Sequence, residues 1–152
     1  MANKQIKAPV IRSLALMVLA VALFSFSDKL GRDSFTIHLG NKLLFKEYVD
    51  PGSEVRSIPL GAGDATNFLK IYYDHCGKTG MDRSMAIADG KEKILKTWRF
   101  SDRAEMNIHV RELVEASRNG ANLKLIYASK EIPEGRVLAS LAIGGDLKAT
   151  LE

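Results

Sequence analysis

Ile71 to Arg83 reads IYYDHCGKTGMDR. It holds one of three histidines, the only cysteine, two aspartates and a Gly-Lys-Thr-Gly string. Residues of these types carry acid–base, thiol, metal and phosphate chemistry, so each was weighed against the spacing. A phosphate loop needs a glycine five residues before the Gly-Lys-Thr glycine, so that backbone amides can wrap the phosphates. That glycine is Gly77, and the earlier position is Tyr72. A strand aromatic cannot form that loop, and no helical pattern follows Thr79.

Thiol catalysis at Cys76 requires a lowered thiol pKa and a base held by a third group. Adjacent residues on a strand point to opposite faces, so His75 does not face Cys76 if the strand continues. His38 or His109 would have to reach the thiol through the fold. Structural zinc sites show two spaced ligand pairs. Asp74, His75, Cys76 and Asp82 form one contiguous cluster without a second pair, and the expectation is no metal and no cofactor. Paired carboxylates for glycoside hydrolysis exist in number, but spacing does not put two at the required separation. Tyr48, Tyr72, Tyr73, Tyr127 and Trp98 read as core before they read as a sugar-stacking platform. The candidate site is therefore Asp74, His75, Cys76, Lys78, Asp82 and Arg83. The bland expectation is a strand ending in a glycine-shaped turn. Cys76 would be a small buried filler at its boundary, with Asp74, Lys78, Asp82 and Arg83 as a solvated rim.

The elements that must position these residues read mostly as strands. Residues 34–39 and 42–49 flank Gly40-Asn41, a hairpin signal. Glu54 to Ile58 alternates weakly. Residues 66–75 place Leu69, Ile71 and Tyr73 on one face and Phe68, Lys70 and Tyr72 on the other. Residues 83–88 and 93–100 flank Asp89-Gly90, with Trp98 and Phe100 expected in the core. Residues 105–110 alternate, and 111–117 carry helix formers ahead of Asn119-Gly120. Residues 123–127 and 136–143 are joined by the Ile132–Gly135 turn. Eight or nine short strands at this spacing predict an all-β fold: a single antiparallel β-sandwich with one short helix, over residues 28–152. Residues 28–33 and 144–152 read as loosely held.

The first 27 residues differ. Lys4, Lys7 and Arg12 precede an apolar run from Leu14 to Phe26, and Ser25-Phe26-Ser27 is a small-x-small pattern. That order predicts an export signal removed before Asp28, with an uncleaved membrane anchor as the alternative. The run is short for a span of roughly 20 apolar residues. The chain carries 22 Lys and Arg against 18 Asp and Glu. Three of the positives lie in the leader, so the remainder is nearly neutral. No basic stripe follows Asp28, which argues against nucleic acid. Contact with a membrane is expected only through the N-terminal segment, and the protein is expected in the periplasm or outside the cell. One cysteine excludes an internal disulfide.

The run ending Tyr73-Asp-His-Cys-Gly-Lys-Thr-Gly80, the hairpin ending Leu95-Lys-Thr-Trp-Arg-Phe100 and the late Ser129-Lys-Glu-Ile-Pro-Glu-Gly-Arg136 resemble small exported bacterial proteins of unknown function. The resemblance implies an exported single β domain and no activity, cofactor or catalytic residue. Together these readings predict a non-enzymatic binding or accessory module of the cell envelope. It would meet a protein partner through a sheet edge or the 76–83 loop. The alternative is a metal-binding or thiol-based enzyme centred on Asp74-His75-Cys76 to Asp82.

Overall fold

The computed structural model describes residues 31–101, 103–117 and 122–144. The chain divides into units 1–31 and 32–152, and the elements below belong to the second. Nine strands are described: β1 Ser34–Leu39, β2 Lys42–Tyr48, β3 Ser57–Leu60, β4 Phe68–Asp74, β5 Ser84–Ala88, β6 Ile94–Arg99, β7 Glu105–His109, β8 Leu123–Ala128 and β9 Arg136–Ile143. One 3-10 turn, Ala62–Asp64, precedes β4, and one helix, α1 Val110–Ala116, follows β7. The expected leader, Asn119-Gly120 and the tail from Gly145 lie outside the described residues.

The strands form two sheets, ordered β2-β1-β4-β7 and β3-β9-β8-β5-β6. Their inner faces share one core, a sandwich-like arrangement. Period-2 alternation builds it: Phe35 and Ile37 from β1, Leu69, Ile71 and Tyr73 from β4, and Met106 and Ile108 from β7 meet Met85, Ile87, Leu125, Tyr127 and Leu141 from the other sheet. Each fully buried aliphatic side chain contributes about 1.5–3 kcal/mol. Gly40, at φ +58, makes the β1–β2 turn. Gly135, at φ +78, makes the turn into β9. The helix begins where His109 Nδ1 accepts the Arg111 amide at 3.3 Å. It buries Val110, Leu113 and Val114.

Three expectations are corrected. The five-stranded sheet is mixed: β3 runs parallel to β9, Ser57 opposite Ser140 through Leu60 opposite Ile143. Hairpin turns predict antiparallel neighbours, but no hairpin joins β3 to its partner. This strand also starts later than Glu54, because Glu54, Val55 and Arg56 are exposed. Arg56 pairs with Glu47 at 2.7 Å instead. Pro59 is tolerated because β3 is an edge strand. Finally, Trp98 and Phe100 are only partly buried against the core. Trp98 lies on edge strand β6. Its Nε1 donates to Glu112 Oε2 at 2.8 Å, which ties β6 to α1.

Candidate functional site

The ladder of β4 ends at Asp74, and one more bridge pairs His75 with Lys78. The His75 amide donates to the Lys78 carbonyl at 2.8 Å, and the Lys78 amide returns to the His75 carbonyl at 3.1 Å. Between them Cys76 and Gly77 have φ of +52 and +86. Two consecutive positive φ values are the type I′ pattern, which favours Asn-Gly. Here a cysteine occupies the first position, in a region that costs a side-chain-bearing residue about 1–2 kcal/mol. The Asp74 carboxylate accepts the Gly77 amide and braces the turn.

This geometry separates the six candidate residues. His75 follows Tyr73 on the inner face, and its side chain is 11% exposed. Cys76 is exposed, which overturns the buried filler: the turn lifts it out of the strand. Asp74, Lys78 and Asp82 are exposed, as expected of a rim. Arg83 is not part of that rim. It is 1% exposed. Its guanidinium donates to the carbonyls of Ser101 at 2.6 Å, Arg103, and Ala104 at 3.2 Å. Its Nε is buried without a partner. Arg83 thus gathers the loop that carries the chain from β6 to β7.

His75 is the hub of a cluster that sequence reading did not assemble. Its Nδ1 lies 3.4 Å from Asp33 Oδ2. Its Nε2 lies 3.0 Å from the Tyr127 hydroxyl and 3.2 Å from Ser129 Oγ. The Asp33 carboxylate also accepts the Tyr73 hydroxyl at 3.0 Å, Arg136 Nη1 at 3.3 Å and the Cys76 thiol at 3.5 Å. Arg136 donates to the Tyr73 hydroxyl as well. Glu131 accepts the Met81 amide with both oxygens, at 3.1 and 3.3 Å. The Glu131 amide donates to Ser129 Oγ at 3.2 Å. Tyr73 and Tyr127 stack across the two sheets with centroids 4.1 Å apart. Gly80 lies so close over them that an added Cβ would sit 2.7 Å from both His75 Nε2 and the Tyr127 hydroxyl.

Asp33 belongs to the segment expected to be loosely held, yet it bonds to β4, the 76–77 turn and β9. In the sequence Tyr73 and Tyr127 read as core, and Ser129 and Glu131 border a turn. The signals present were the inward register of His75 behind Tyr73 and a Ser-x-Glu turn, where a hydroxyl accepts an amide two residues on. His38 and His109 stay out: they pack on Tyr72 and Phe68 respectively. His38 pairs opposite Lys70 and His109 opposite Phe68, down β4 from Asp74.

Asp33, His75 and Ser129 stand in the order acid, imidazole, hydroxyl, which supports proton transfer along the line. Ser129 is only 4% exposed, and Gly80 closes over its neighbours. The hydroxyl is therefore shut off from bulk solvent. The Cys76 thiol is pushed up from its ordinary range, first by desolvation and then by the Asp33 hydrogen bond and the Asp33 and Asp74 charges. That is the reverse of an activated thiolate. Burial, then the Asp33 bond, raises Tyr73 far above its ordinary value. Burial also raises Tyr127. No group of three or more metal-ligating side chains occurs among the described residues.

The outer face of the four-stranded sheet is different in kind. Leu43 and Tyr48 on edge strand β2 are 52% and 57% exposed, and Phe68 on β4 is 44% exposed. Fold and site together define a two-sheet β protein with a closed polar cluster at one end and bare apolar side chains on one edge. No protein-family model, no curated protein and no solved structure matches the chain.

Proposed function

We propose that this protein is an exported, non-enzymatic binding or accessory module of the cell envelope, on a β-sandwich, and that its partner is a protein docking along edge strand β2. The observation that carries this reading is the exposure of Leu43 and Tyr48 on a strand paired on one side only among the described residues. Edge strands are usually blunted, as Pro59 does for β3. On β2 the backbone edge supplies hydrogen bonds to an extended segment, and the two large side chains supply pockets or anchors. Lys42, Lys46 and Glu47 restrict which segments fit. The 76–83 turn is the weaker docking choice, because its hydrogen bonds are spent within the fold.

Two measurements test this. Photo-crosslinking side chains placed at Leu43 and Tyr48 should give the same discrete adduct in intact cells, while one at Lys124, on the other sheet, should not. Absence of an adduct at both β2 positions, or an equal one at Lys124, refutes the docking surface. Export is tested by intact mass from the envelope fraction, which should show a chain beginning at or near Asp28. A full-length chain held in the membrane would make the N-terminal segment an anchor.

A further inference from the structure

We propose that His75 is a pH-sensitive clamp: on taking up a second proton its imidazole bridges the Asp33 and Glu131 carboxylates and tightens the β8–β9 turn against the segment around Met81.

The imidazole sits where three separate stretches of chain meet. Asp33 Oδ2 lies 3.4 Å from Nδ1, and Glu131 Oε2 lies 4.0 Å from Nε2. The first is close to hydrogen-bond reach and the second is beyond it. In the neutral ring one nitrogen carries a proton and the other accepts. With the proton on Nδ1, facing Asp33, Nε2 accepts from the Tyr127 hydroxyl at 3.0 Å. The Ser129 hydroxyl, 3.2 Å away, is then released toward Glu131, whose carboxyl it holds below the usual range. A second proton turns Nε2 into a donor. The line then runs from Asp33 through both ring nitrogens and Ser129 Oγ to Glu131, with a carboxylate at each end. An imidazolium between two carboxylates draws the unbonded one inward.

Other groups near the ring set how far this goes. Tyr73, its ring tilted against the imidazole with centroids 4.7 Å apart, is neutral across the pH range concerned. Arg136 shares Asp33 and offsets part of its charge. The Arg83 charge also acts on Tyr127. The Cys76 thiol donates to Asp33. Glu131 is the least committed of the two carboxylates, because its other bonds are to its own turn and to the Met81 amide. The effect is read out at Met81, whose amide now shares both oxygens at 3.1 and 3.3 Å: a carboxylate pinned to the ring through Oε2 holds Oε1 fixed on that amide.

The test follows the hydrogen-exchange protection factor of the Met81 amide as pH falls from about 8 to about 5, the range in which histidines change charge. In the wild-type chain protection should rise by about threefold, the size of a partly exposed ion pair, in step with the His75 ring resonances. His75→Gln should abolish the rise. If His75→Gln fails to fold, Glu131→Gln carries the test: it keeps an oxygen for the Met81 amide and keeps the imidazole, and Met81 protection should be flat. A flat wild-type profile, or a rise that survives in either variant, overturns the clamp.

Discussion

Replacing Arg83 tests how the two sheets are tied together. The side chain is a buried cation bonded to three backbone carbonyls, with no carboxylate among its described partners and Nε unmet. A hydrogen bond to a charged group contributes about 1.5–3 kcal/mol, so three at the lower end give roughly 4–5 kcal/mol. The unmet Nε subtracts about 1–2 kcal/mol on the same scale. Arg83→Met removes both terms and keeps most of the side-chain volume. The Ser101, Arg103 and Ala104 residues are exposed, so their released carbonyls can turn to water. The expected loss is therefore about 2–4 kcal/mol, a fall in Tm of roughly 6–20 °C for a domain of this size. Arg83→Ala adds a cavity and should lose about 4–5 kcal/mol. Urea unfolding followed by fluorescence and by circular dichroism measures both, with Arg99→Met as the control. Arg99 pairs opposite Ser84 on the exposed edge and should change stability by less than about 0.5 kcal/mol. A loss under about 1 kcal/mol for Arg83→Met would mean that the buried cation is no better than an apolar isostere. The account of the 101–104 loop would then be wrong.

Four further outcomes are expected. Cys76→Gly should raise stability by about 0.5–1 kcal/mol in urea unfolding, because glycine accepts the positive φ that cysteine does not; a loss would show that the thiol contact with Asp33 outweighs backbone strain. In the wild-type chain, Cys76 alkylation should accelerate only above the ordinary thiol value of 9.0, and Asp33→Asn should move that rise to lower pH; identical profiles would remove Asp33 as a cause. Gly80→Ala should cost about 1–3 kcal/mol, since its Cβ must displace His75 or Tyr127, and a neutral substitution would show that the cover relaxes freely. The carboxyls of Glu105, Glu112 and Glu131 are all held below the ordinary 4.5, chiefly by Tyr72, by Lys96 and by Ser129 respectively. Their stabilisation is full above the unfolded value and is lost as pH falls through the lower folded values. Unfolding free energy should therefore drop below about pH 4.5, and less steeply in Glu112→Gln; an unchanged slope would separate Glu112 from acid stability.

Local chemistry was legible where one stretch of chain decides the outcome. Gly40-Asn41, Asp89-Gly90 and Ile132–Gly135 mark three turns because glycine and short polar residues favour those conformations wherever they occur. Leu69, Ile71 and Tyr73 fall inward because alternation is a property of a single strand. What was not legible depends on partners distant in the chain. Arg83 stands just before β5 and reads as a rim residue; only the return of the chain through Ser101 to Ala104 encloses it. Asp33 reads as a loose residue before a strand, and becomes a hub only once β4 and β9 lie beside it. The glycine-shaped turn after β4 was legible, but the outward place of Cys76 was not: its positive φ lifts the thiol off the strand, and that is not a conformation cysteine favours.

The parallel pairing of β3 with β9 also governs the order in which the molecule can be assembled. Residues 57–60 find their neighbours at 140–143, so nearly all of the intervening chain lies inside the loop that this contact closes. The bond from Arg136 to Asp33 spans 103 positions. The β1–β2 and β5–β6 hairpins can form as soon as their turns exist, but β3 has no template before β9 arrives. Loop-closure entropy must be spent before such distant contacts return anything, which slows chains rich in them. Folding should therefore pass its slowest step late, with the five-stranded sheet incomplete and its inner face open. A chain stopped short of β9 would hold two good hairpins and no finished second sheet.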